Sequence, residues 1–181
     1  MRVHSIKTDN AYPADKIFLR QKATEGLGAL RVLDLYAGEN VLWSSFETQR
    51  YFGNDMVKGK GKNLHGDCRR LVESLDLSDF NIIDCDSYGI PFDVILKIFA
   101  NRTLQKGTVI VYTAISNKMS GISKECLKMF NLYEFRKNSP TLVYAKALEL
   151  FYAMLEKQGV ETVYRYKVKS NFEKHYGYFV V

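Results

Sequence analysis

The sequence predicts an α/β protein: a doubly wound, seven-stranded, mostly parallel sheet with an antiparallel C-terminal strand and helices on both faces. Three observations carry this. Five strand-like runs alternate with segments of helical periodicity between residues 30 and 113. The last of them, TVIVYT at 108–113, is continuously apolar, as a strand covered on both faces must be. The chain then ends in two strand-like runs, 161–169 and 176–181, whose short connection has no room for a crossover helix and so makes them antiparallel.

Residues 1–12 are polar. PADKIFLRQKAT, 13–24, reads as a helix, with Pro13 at its first position and Gly26 and Gly28 stopping it. The first strand spans 30–36, and a helix is expected over 40–50, carrying Val41, Leu42, Phe46 and the only tryptophan, Trp43. A second strand at 51–56 ends in Asp55. A Gly/Lys loop follows, then a third strand at 63–66 with Asp67 just after it. A helix over 69–77, a fourth strand at 80–84, a helix over 92–101 and the fifth strand complete the alternation. Residues 114–138 lack a clear period and have the length of a lid or substrate loop. Ser139-Pro140 opens a long amphipathic helix that Gly159 closes.

In an open α/β sheet a ligand lies beyond the carboxyl ends of the strands, where the strand order reverses. Four aspartates, Asp34, Asp55, Asp67 and Asp84, fall at such ends. Turn chemistry accounts for any one of them singly. The segment VLDLYAGEN, 32–40, is a strand, a small-residue turn and a restart. Gly38 allows backbone to come close to a ligand, and a helix start there would offer free N–H groups. A dinucleotide site would want three glycines in this turn, but it holds one, with Glu39 where a pyrophosphate would lie. Asp55, seventeen residues beyond Gly38, sits where a second-strand carboxylate accepts two ribose hydroxyls.

The turn resembles the first motif of class I S-adenosylmethionine (SAM) methyltransferases, acidic-x-aromatic-x-Gly-x-Gly: Asp34, Tyr36 and Gly38 match, and Asn40 stands at the second glycine. The resemblance implies a Rossmann-like fold and SAM as cofactor, with Asp34 facing its methionine end, Asp67 holding the adenine amino group and the Cys68 N–H facing the ring. DCDSYGIP, 84–91, resembles the D-x-D-P-[FY]-G-x-P motif of the tRNA guanine N2-dimethyltransferases: Asp84, Asp86, Tyr88, Gly89 and Pro91 match, and Ser87 replaces a proline. It implies that Asp84, Asp86 and Tyr88 form the reacting end, with Asp86 accepting the N–H bonds of a base amine and Tyr88 stacking on the base. The likeness covers roughly residues 30–121, and the chain is too short for that family's further tRNA domain. DNA, protein or small-molecule substrates, and a binding domain without catalysis, remain the alternatives.

At 181 residues, 46% hydrophobic and 25% charged, the chain fits a single domain over 1–181. Its net charge of +6 favours an anionic partner, nucleic acid and RNA first. Lys58, Lys60 and Lys62 in the loop after Asp55, and Arg165, Lys167 and Lys169 alternating along the penultimate strand, are candidate phosphate contacts; a solvated face explains either group as well. Three scattered cysteines and three scattered histidines give neither a disulfide framework nor a metal-ligand spacing, and no metal is expected. No apolar run follows Met1-Arg2 and none spans a membrane, so a cytoplasmic protein is expected, with a partner subunit or homo-oligomer left open.

Overall fold

In the computed structural model, which describes residues 13–39, 41–57, 63–116, 121–168 and 173–181, one sheet runs through the molecule. Its strands are β1 (Leu30–Asp34), β2 (Thr48–Asp55), β3 (Leu64–His65), β4 (Ile82–Cys85), β5 (Val109–Ser116), β6 (Val163–Val168) and β7 (Glu173–Val180). They lie in the order β3-β2-β1-β4-β5-β7-β6. The pairs from β3 to β5 are parallel, and β7 is antiparallel to both of its neighbours. Only β7 therefore runs against the others. The order reverses between β1 and β4, so the crevice of a doubly wound sheet opens there, and Asp34 and Asp84 are register partners at its edge.

Alternation along the strands splits the core in two. Leu33, Ile83, Ile110 and Phe179 face one side. There they meet α2 (Cys68–Ser74), α3 (Phe92–Ala100) and α7 (Ala147–Lys157), through Val72, Ile95, Ile98, Phe151 and Met154. Val32, Ile82, Val109, Val111 and Tyr176 face the other side, against Leu19 and Ala23 of α1 (Pro13–Thr24) and against Trp43. Helices thus cover both faces, as the alternation predicts. Among the described residues no helix is long and apolar enough to cross a membrane.

The main departure from expectation follows β1. Residues 41–46 form turns rather than the helix expected over 40–50. Strand β2 begins early, with Thr48 beside Leu30 and Arg50 beside Arg31, so the chain has returned to the start of β1 before a helix could complete. Trp43 turns inward to pack on Phe46 at 4.9 Å. Asn40 lies outside the described residues. Residues 114–138 are also more regular than expected: β5 runs to Ser116, and two short helices follow, α4 (Lys124–Met129) and α5 (Tyr133–Asn138). The helix expected from Ser139 to Gly159 breaks at Lys146 into α6 (Pro140–Ala145) and α7.

Candidate active site

Two clefts adjoin at the switch point, sharing Tyr36, Ser87 and Tyr88 as a common wall. The first, of about 130 Å³, lies under the β1 turn between Ala37, Gly38 and Glu39, the 86–88 loop, Thr113 of β5, Lys16 of α1 and Lys174 of β7. The second, of about 350 Å³, runs between Asp67, Cys68 and Arg69 at the start of α2 and Ile90, Pro91 and Phe92 at the start of α3, with Met56 at its edge.

The turn is held from below. Gly38 has φ +51°, a left-handed conformation that side chains with a Cβ resist. Its N–H donates to Asp55 Oδ2 at 3.1 Å, and Asp55 Oδ1 accepts the Val57 N–H at 2.7 Å. Asp55 thus clamps the turn to the end of β2, with further acceptor capacity on each oxygen. Tyr36 separates the clefts, and its hydroxyl accepts from Cys68 Sγ at 3.2 Å.

The 86–90 loop is tied to β5. Thr113 Oγ1 donates to Asp86 Oδ1 at 2.6 Å, and the Ile115 N–H donates to the Gly89 carbonyl at 2.9 Å. Lys16 Nζ donates to Asp86 Oδ2 at 2.7 Å, and the Arg20 guanidinium lies 3.7 Å from the same oxygen. Burial disfavours the charged form of Asp86, but the Lys16 ammonium and the Arg20 guanidinium outweigh it and hold the carboxyl below the usual range. Tyr88 projects from the wall between the clefts and is 53% exposed.

Two of the aspartates expected at the ligand lie beneath the clefts rather than in their walls. Asp84 is fully buried and lines neither cleft. Its Oδ2 accepts Arg20 Nε and Trp43 Nε1, each at 2.7 Å, and its Oδ1 has no hydrogen-bond partner among the described residues. It is a buried anchor that ties α1 and Trp43 to the end of β4. Asp34 is likewise buried, accepting the Tyr36 N–H at 3.2 Å and the Tyr51 hydroxyl at 3.1 Å, and does not face the first cleft. Burial, then repulsion from Asp84, pushes its carboxyl up to about 8 and so favours its neutral form.

Asp67 does line the second cleft, but its residue type has a local cause. It caps α2 by accepting the Arg69 N–H at 2.9 Å, and its oxygens also take Arg69 Nε and Nη2. The Arg69 hydrogen bond lowers its carboxyl to about 2. An adenine amino group would have to share this carboxylate with Arg69. Cys68 lines the same cleft.

Lys16 and Arg20 are absent from the sequence-based site. Both are buried on the same face of α1 as Leu19 and Ala23. The available signal was that stripe at positions 16, 19, 20 and 23, with two cations inside an apolar face. Lys58, Lys60, Lys62 and Lys169 lie outside the described residues. Arg165 stacks over the Tyr152 ring at 3.8 Å, and Lys167 pairs with Glu173 at 3.5 Å.

No protein-family model and no curated protein matches the chain. Among solved structures it is similar to the crystal structure of a SAM-dependent methyltransferase from Archaeoglobus fulgidus, with 16% identity and a TM-score of 0.54 over 92% of this chain and 93% of that one. Strand order, the lone reversed strand β7 and this likeness over nearly the whole chain establish a Rossmann-like fold of the class I methyltransferase type.

Proposed function

We propose that the chain is a SAM-dependent methyltransferase that acts on nucleic acid, at an exocyclic base amine in RNA of the tRNA guanine N2 type. One observation carries the reading. At the switch point a carboxylate paired with Lys16, Asp86, stands at a cleft wall near an exposed aromatic ring, Tyr88.

The residues present fit SAM as an extended ligand. The second cleft offers Cys68, Ile90, Pro91 and Phe92 to an adenine ring, and the first offers Glu39 and Lys174 to an amino-acid end. Asp55, at the tip of β2 beside the turn, is the candidate for the ribose hydroxyls. When bound, SAM supplies an electrophilic methyl on a sulfonium. The chain's own contribution is orientation, which supplies much of the acceleration in a displacement of this kind. Tyr88 stacks on an unpaired base. Asp86 accepts an N–H bond from the amine and turns its lone pair, otherwise delocalised into the ring, towards the first cleft. The net charge of +6 steers a polyanion towards the protein, and Lys58, Lys60 and Lys62 remain the proposed phosphate contacts.

Calorimetry with SAM, followed by tritiated-methyl transfer to separate pools of RNA, DNA and protein, tests the reading. Label should enter RNA, and Asp86→Asn should lower transfer by about a hundredfold or more while SAM still binds. No SAM binding at millimolar ligand overturns it.

A second reading, a binding domain without catalysis, draws on the Gly38 N–H being taken by Asp55 and on the turns that replace a helix at 41–46. It predicts RNA binding with neither SAM binding nor label transfer.

A further inference from the structure

We propose that Lys16 is the positioning residue of this site, clamping the Asp86 carboxylate at the cleft wall. The proposal rests on the methyltransferase reading for what Asp86 does, but on geometry alone for the clamp.

Asp86 is the one aspartate of the buried network that reaches the first cleft, with a side chain only 10% exposed. A carboxylate so nearly dry tends to take up a proton, and a protonated Asp86 would lose most of its power to accept an N–H bond from a weak amine. It also needs one orientation, because an acceptor misplaced by an ångström directs the lone pair elsewhere. Thr113 of β5 fixes one oxygen and Lys16 of α1 the other. Lys16 is itself buried, 70 residues distant in sequence, and lines the same cleft. Its placement therefore makes α1 part of the reacting end.

The other charged groups around Asp86 cannot substitute for it. The Arg20 guanidinium reaches Asp86 only at 3.7 Å, because its Nε and Nη2 are committed to Asp84. Asp84, on the same strand end, is a carboxyl whose charge and that of Asp86 oppose each other, and burial pushes the Asp34 carboxyl up towards its neutral form. Lys174 and Glu39 line the cleft from β7 and from the turn. Tyr36 and Tyr88, the remaining phenols of the wall, carry no positive charge in any protonation state. Losing Lys16 thus removes the cation that hydrogen-bonds Asp86 at 2.7 Å and leaves Arg20 at 3.7 Å.

Two measurements on Lys16→Met, Lys16→Arg and the parent chain test this. The first follows the carboxyl carbon of Asp86 by NMR titration without substrate, with Asp86→Asn identifying the signal. Lys16→Met should move its midpoint up by at least about one pH unit, and Lys16→Arg should return most of that shift. The second is the pH profile of methyl transfer to RNA. Its acid limb should move up by the same amount, with kcat falling at neutral pH, KM nearly unchanged and calorimetric SAM affinity intact. An unmoved Asp86 midpoint in folded Lys16→Met overturns the clamp. If the midpoint moves but no label reaches RNA, the clamp stands and the methyltransferase reading fails. If Lys16→Met does not fold, Lys16→Met/Asp86→Asn removes both charges. Recovery of folding then supports the clamp, and no recovery overturns it.

Discussion

Arg20 Nε donates to Asp84 Oδ2 at 2.7 Å, between two side chains that are almost wholly buried and 64 residues apart in the sequence. The bond fastens α1 to the tip of β4, directly under the loop that carries Asp86. Burial pushes the Asp84 carboxyl up despite the opposing Arg20 charge, so the pair is held by geometry and by the absence of any better partner. Trp43 adds a second donor to the same oxygen, from within the turns at 41–46 that stand where a helix was expected.

Breaking this pair from one side should be costly. Arg20→Met leaves Asp84 buried and unpaired, a loss of about 3–5 kcal/mol, which is a large part of a typical domain's stability. Arg20→Met/Asp84→Asn should lose clearly less than the two single changes together, because neither charge is then stranded. Urea unfolding of the four chains checks this. Additive losses would mean that the two residues do not act as a pair.

The pH dependence of stability should have two sides. Asp34 keeps its proton in the folded chain up to about 8, whereas an unfolded aspartate loses it near 4. Between those values the native state binds more protons, so Asp34's contribution declines as pH rises through that window, by up to about 1.4 kcal/mol per pH unit. Asp86 has the opposite sign. Its lowered carboxyl stabilises the fold above the unfolded value, and that contribution disappears as the medium becomes acid. Asp34→Asn should flatten the decline between pH 5 and pH 8, about the range between the two values, and leave the acid limb. Thermal melting across that range tests it, and an unchanged alkaline slope in Asp34→Asn would refute the neutral carboxyl.

Gly177 marks a close approach between β7 and its neighbours. A Cβ there would fall 2.6 Å from the Tyr164 carbonyl oxygen and collide with the Tyr112 hydroxyl. Tyr112 is fully buried, and its ring crosses to pack on Phe151 at 5.2 Å. Gly177→Ala should therefore cost about 1–3 kcal/mol. Adding Tyr112→Phe should restore only part of this, since the backbone clash with Tyr164 persists. Full restoration in the double variant would place the whole strain on the tyrosine.

The sheet was legible because its strands follow local rules. TVIVYT is apolar throughout since both faces of β5 are covered, and β7 is reversed since its link to β6 is too short for a crossover. The helix expected over 40–50 was not legible as turns. Its Val41, Leu42 and Phe46 do recur at helical spacing, and nothing local discloses that Trp43 serves Asp84 forty-one residues away. The burial of Asp34 and Asp84 was not legible for a related reason. An acid at a strand end reads the same whether it faces ligand or core, and what decides is a cation on α1. Lys16 and Arg20 were passed over because charge on an amphipathic helix is usually solvated. α4 and α5 were missed because six-residue helices give a period no room to repeat. The positions of Gly38, Asp55 and Tyr88 were legible, because a turn, a strand tip and an exposed loop ring are local features.

Tyr88 offers a test that stability cannot confuse. Its ring is 53% exposed, so Tyr88→Ala should change the unfolding free energy by less than about 0.5 kcal/mol. Under the proposed function the ring stacks on a base, a contact worth about 1–3 kcal/mol. Tyr88→Ala should then raise the apparent KM for RNA by roughly five- to a hundredfold on that scale. Because the ring also borders both clefts, a modest loss of SAM affinity is expected with it. Tyr88→Phe keeps the π face and should behave almost as the parent does. The decisive comparison is between Phe and Ala at this position, measured as KM for RNA with SAM saturating. Equal KM values in the parent and both variants would show that Tyr88 only shapes the loop, and the acceptor base would then have to be sought along the apolar rim that Val41 and Met56 form around the same clefts.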